Sequence, residues 1–150
     1  MKNLIAILIC FGVTSFALAQ KMKTEEVPQA VRTAFAKAYP NVKNVKWEKE
    51  GDSYEAGFDL GKEEVSALID AAGKVKEVET EIAMDAMPAA VKKSLAKDYA
   101  DYKVKEAAKI VAENVITYEA EVKKGKESFD LIFSEDGKLV KKEEKKNEKD

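Results

Sequence analysis

The chain has 150 residues, with 26 basic and 28 acidic side chains mixed along its length and a formal charge of −2. That balance excludes a nucleic-acid binder, which needs a basic stripe or patch. With no histidine and a single cysteine, Cys10, the chain lacks the usual base of nucleophilic triads, and it has neither a disulfide framework nor a Cys/His metal site.

The first nineteen residues read MKNLIAILICFGVTSFALA, with Lys2 ahead of an apolar run from Leu4 to Val13 and a small-x-small end at Ala17-Leu18-Ala19. This is the pattern of a secretory signal peptide, residues 1–19, cleaved after Ala19. The run is too short for a comfortable membrane span, so no integral membrane segment is expected after cleavage, and the mature chain is expected to be periplasmic or secreted. Cys10 lies inside the apolar run, which argues against lipid attachment, and it leaves with the leader.

The mature chain is written twice. VPQAVRTAFAKAYP from Val27 returns sixty residues later as MPAAVKKSLAKDYA from Met87. In the first copy Pro28 suits the opening of a helix, Val31, Phe35 and Tyr39 follow at four-residue spacing, and Pro40 forbids continuation; Pro88, Val91, Leu95 and Tyr99 repeat this. Each stretch predicts one short amphipathic helix.

The period then falls to two. A strand around Val45 and Trp47 precedes one in which Tyr54, Ala56, Phe58 and Leu60 alternate with Glu55, Gly57 and Asp59. The next carries Val65, Ala67 and Ile69 on one face, and a last one runs through Val75 and Val78. In the second copy YKVKEAAKIVAEN predicts a long first strand, Tyr118, Ala120 and Val122 the second, Phe129, Leu131 and Phe133 the third, and Leu139 and Val140 the fourth. These strands match at an offset of sixty-four, so four residues are inserted between helix and strand, and they are expected to lengthen the first hairpin. Gly61, Gly73, Gly125 and Gly137 fall at the expected turns.

The expected fold is α+β: two tandem helix-plus-four-strand repeats, residues 24–83 and 84–144, forming an antiparallel sheet of about eight strands with two helices on one face. Residues 145–150 read as a disordered charged tail, and the whole run KKEEKKNEKD, without an apolar residue, is expected to fray. Trp47, Tyr54, Phe58 and Tyr118 are expected to pack under the helices. The opposite, open face then presents Glu55, Asp59 and Asp70 from the first copy and Glu119, Glu121 and Asp130 from the second, interrupted by Leu68 and Ile132. These six acids are the candidate binding residues, and their bland alternative is an ordinary solvated sheet face.

No catalytic pair, metal loop or cofactor motif stands out, so no enzyme, metal or cofactor is expected. The expected function is an exported binding module that recognises a protein or peptide on the open face. The alternative is a sensor or scavenger of small ligands or cations held against the acids. A monomer or weak dimer through exposed strand edges is expected.

A signal peptide followed by two copies of Pro-x-x-Val-x-x-x-Phe/Leu-x-x-x-Tyr, each leading to Tyr-Glu-Ala and a Gly-Lys turn, resembles the PepSY-like family, described as similar to β-lactamase-inhibitory protein. The resemblance covers nearly all of the mature chain. It implies an exported, non-enzymatic module whose open sheet face can grip a protein or peptide, and PepSY domains proper suggest inhibition or chaperoning of an envelope enzyme. One departure is that the inhibitory protein uses a face rich in aromatics, whereas here the pattern turns the aromatics inward.

Overall fold

The structure, a computed structural model, describes residues 20–145. The leader and residues 146–150 lie outside the described residues. Pro28 and Pro88 set the starts of the two helices, α1 (Gln29–Ala38) and α2 (Ala89–Asp98). At φ −53° and −54° they stand in the capping position, where a missing N–H costs nothing, and their carbonyls accept from the Arg32 and Lys92 N–H groups. The helices stop at Tyr39 and Tyr99, whose N–H groups still donate to Phe35 and Leu95. A single 3₁₀ turn precedes each, Thr24–Glu26 and Met84–Ala86, and delivers Val27 and Met87 into the core at 2% exposure.

The strands are β1 (Gln20–Met22), β2 (Lys46–Glu50), β3 (Ser53–Leu60), β4 (Glu63–Asp70), β5 (Val75–Glu81), β6 (Lys103–Ala112), β7 (Val115–Lys124), β8 (Glu127–Ser134) and β9 (Leu139–Glu144). They form one antiparallel sheet in which spatial order equals chain order. The sheet thus has nine strands rather than about eight. The extra one, β1, pairs Met22 with Trp47 at the β2 edge, and its three residues Gln-Lys-Met show no alternation from which to read a strand. It lies sixty residues before the end of β5, and both segments run directly into a 3₁₀ turn and a helix.

The inserted residues lengthen β6 and β7 to ten residues each, against five and eight in β2 and β3. Their hairpin closes at Glu113 and Asn114, both at positive φ, the geometry of a tight two-residue hairpin turn.

Both helices lie on one side of the sheet. Register carries Ala67 to Val78, Val78 to Val111 and Lys109 to Tyr118, so the side chains under α1 and those under α2 share a face. Two cores result. The first gathers Val27, Val31, Phe35, Trp47, Phe58, Val65 and Ile69; the second gathers Met87, Val91, Leu95, Tyr118, Val122, Leu131 and Phe133. Volume is exchanged between them: Phe35 and Phe58 become Leu95 and Val122, while Ala67 and Ile69 become Leu131 and Phe133. Such exchange keeps a close-packed interior filled. Trp47, Phe58 and Tyr118 are buried, and half-buried Tyr54 packs beside them, so the expected inward direction of the aromatics holds.

The charged C-terminal run is strand as far as Glu144, and the Lys145 N–H donates to Ser128 O at 2.8 Å. Residues 141–145, which were expected to fray or to begin the tail, are therefore tied to β8.

Candidate functional site

With the helix side filled, the other face consists of the alternate residues of every strand. Its centre is acidic for a local reason. In β5, Glu77, Glu79 and Glu81 alternate with Val78 and Thr80, and the registers Ser66 to Glu79 and Leu68 to Glu77 put these glutamates on the open side. From β7 come Glu119 and Glu121, opposite Ile132 and Asp130 of β8. β6 contributes Glu106 opposite Glu121 and Ala108 opposite Glu119. The small Ala108 leaves room between Glu81 and Glu119, its two cross-strand neighbours.

A groove of about 590 Å³ crosses this face, lined among others by Glu55, Gly57, Ser66, Glu79, Glu106 and Glu119. Gly57 contributes no side chain to the floor. Glu79 and Glu119 are the most perturbed groups. Burial pushes Glu79 from 4.5 up to about 7, helped by Glu77 and Glu55. Burial, then the charge of Glu79, pushes Glu119 up to about 8. Glu55 and Glu77 are raised by the same desolvation and by Glu50. Packing carboxylates on a half-buried surface disfavours their charged forms.

One end of the face carries a lysine of its own. Lys145 Nζ lies 2.6 Å from Glu121 Oε2 and 3.6 Å from Asp130 Oδ1. The hydrogen bond from Lys145 holds Glu121 below its ordinary range. Asp130 is raised, because burial outweighs the pull of Lys145, and its Oδ1 is shielded from solvent without a hydrogen-bond partner.

Of the six acids read from the sequence, Glu55, Glu119, Glu121 and Asp130 stand on this shared face. Asp59 is an exposed residue at the rim of the groove. Asp70 is not brought to it: its Oδ1 accepts the N–H groups of Ala72 and Lys74 at 3.0 and 2.9 Å, closing the β4–β5 turn. Sequence reasoning missed Glu77, Glu79, Glu81 and Glu106. The glutamates of VKEVETE do alternate, but reading the segment from Val75 and Val78, three apart across a register shift opposite Leu68 and Ile69, hides the period. Among the described residues no three carboxylates converge to hold a metal ion, the arrangement that a scavenger of hard cations would use.

The family model described as "Putative beta-lactamase-inhibitor-like, PepSY-like" matches twice, over residues 17–76 and 52–141. The chain belongs to this family. Solved structures share the PepSY-like fold. A BLIP-like protein from Bacteroides fragilis NCTC 9343 is 29% identical, with a TM-score of 0.68 over 82% of this chain and 90% of that one. A protein from Bacteroides eggerthii DSM 20697, described among "putative periplasmic proteins", is 19% identical, with a TM-score of 0.74 over 79% and 88%. A DUF2874 family protein from Bacteroides uniformis ATCC 8492 is 20% identical, with a TM-score of 0.73 over 78% and 88%. No curated protein sequence matches. Among the described residues no helix of this PepSY-like chain is long and apolar enough to cross a membrane.

Proposed function

We propose that this PepSY-like protein is an exported, non-enzymatic binding module that takes a protein or peptide on its open sheet face. The observation that carries the reading is the groove of half-buried carboxylates on the face that the helices leave uncovered. A solvated surface does not ordinarily gather desolvated like charges, and clusters of perturbed carboxyls favour a site. The signal-like leader supports a periplasmic or secreted location, and the BLIP-like relative supports inhibition of an envelope or secreted enzyme as the use to which binding is put.

Affinity capture tests this. The mature chain and its Glu55→Lys/Glu119→Lys variant are used as baits for envelope proteins. The expected result is a stoichiometric partner held by the first and lost by the second, with both baits equally folded by circular dichroism. A partner retained by the double variant would place binding elsewhere.

A further inference from the structure

The strand repeat gives the groove an internal precedent. At the offset of sixty-four, Glu121 corresponds to Gly57, Asp130 to Ser66 and Lys145 to Glu81. The second copy therefore closes one patch of its open face with its own lysine, Nζ 2.6 Å from Glu121. At the matching place in the first copy the two acidic side chains shrink to glycine and serine and the lysine is replaced by an acid. There the groove lies open, with Gly57, Ser66 and Glu81 all on its wall. The carboxylates that surround the vacated place come from both copies: Glu55 and Glu79 from the first, Glu106 and Glu119 from the second.

We propose that this groove receives a lysine side chain carried on an extended segment of the partner, seated where the second copy seats Lys145. The assignment rests on the binding-module reading above and names the chemistry that the face recognises. Charge complementarity argues for a cation, since the lining carries the glutamates just named together with Glu81, Asp59 and Glu64, and its lysines, Lys43 and Lys46, come from the segment at and before the start of β2. The Lys145 clip argues for a flexible ammonium reaching across strands: it approaches Glu121 and Asp130 of two neighbouring strands from the end of a third. An extended carrier fits because alternate side chains of such a segment point the same way. The raised carboxyls support the same occupant: burial raises them first and neighbouring carboxylates second, and an ammonium seated among them favours their charged forms, as Lys145 already does in part.

The test is fluorescence anisotropy of a labelled Ser-Lys-Ser-Lys-Ser peptide against the mature chain at low salt, with norleucine and glutamate in place of lysine as comparison peptides. The expected result is binding of the lysine peptide alone, weakened at least about tenfold by Glu79→Gln with Glu119→Gln, as for loss of a desolvated charge pair. Glu81→Lys places an internal lysine where the second copy has one, and should block the peptide, whereas Glu81→Gln should leave most of the affinity. Amide shifts on binding should centre on Gly57 and Ser66. Equal binding of the norleucine peptide, indifference to Glu81→Lys, or shifts centred on Ser128 and Asp130 would each overturn the inference. If no lysine peptide binds while a captured partner is still lost by the Glu55→Lys/Glu119→Lys variant, the lysine assignment falls and the binding module stands. If the captured partner is also indifferent to that variant, both fall.

Discussion

A Cβ built on Gly137 would stand 2.5 Å from the carbonyl oxygen of Ala90, in the first turn of α2. The β8–β9 turn is thus pressed against the backbone of the helix above it, and Ser94 Oγ locks the contact by donating to Gly137 O at 2.7 Å. Gly73 repeats the approach, with its absent Cβ 2.9 Å from Ala30 O. These two glycines join helix to sheet. Gly61 and Gly125 share the positive φ but face open space. Gly137→Ala should therefore cost roughly 2–4 kcal/mol and Gly73→Ala somewhat less, while Gly61→Ala and Gly125→Ala carry only the left-handed penalty of about 1–2 kcal/mol. Urea midpoints of the four variants should fall in that order.

Trp47 is 3% exposed and packs edge-on to Phe35 at 5.3 Å, yet its indole N–H finds no acceptor. Trp47→Ala should cost roughly 3–5 kcal/mol as a cavity. Trp47→Phe should cost much less than that, because a phenyl ring refills most of the cavity while both substitutions remove the unsatisfied donor. Equal losses for the two substitutions, read by thermal or urea unfolding, would show that the volume of the ring is not what Trp47 contributes.

The raised carboxyls make stability depend on pH with a sign opposite to that of a salt-bridged acid. Glu79 and Glu119 bind their protons more tightly folded than unfolded, since their values rise from 4.5 to about 7 and about 8. Their contribution is fully present below pH 4.5 and is lost as pH climbs through 7 and 8. Glu121, held down by Lys145, works the other way and loses its contribution in acid. Glu79→Gln with Glu119→Gln should raise stability at pH 9 by an amount on the order of 1–3 kcal/mol and leave it nearly unchanged at pH 4. Melting curves across this range check the prediction.

Glu113 and Asn114 close the β6–β7 hairpin at φ 49° and 67°. Asparagine and glycine adopt these values more readily than glutamate, and the Glu113 ion pair to Lys74 is long, at 3.6 Å, and exposed. Glu113→Asn with Asn114→Gly should therefore stabilise the protein by about 1 kcal/mol, seen as a higher urea midpoint with an unchanged slope.

The fold was legible because its repeat is written in residues with one physical use each. Pro28 and Pro88 start helices, Phe58 and Val122 face a core, and Gly73 and Gly137 close turns. β1 was not legible, since Gln20–Met22 gains its strand from the edge of β2 rather than from its own pattern. The acid face was half legible. Glu55 and Glu119 alternate with clear apolar partners, whereas Glu77 and Glu79 sit on a strand whose apolar residues lose their period at a register shift. Asp70 showed the converse: correct parity told which side it leaves the strand from, and the turn beside it decided where its oxygen went.

β5 closes the first copy by pairing with β4 and opens the second by pairing with β6, just as β1 opens the first. The second unit thus borrows its leading strand from the first, and the final strand of the first is the template for the second. A cut between residues 83 and 84 would produce one fragment with an unsheltered edge and another lacking its first strand, so the halves should melt together in a single transition. β9 stands in the second copy where β5 stands in the first, so its outer edge is the counterpart of the edge on which β6 pairs.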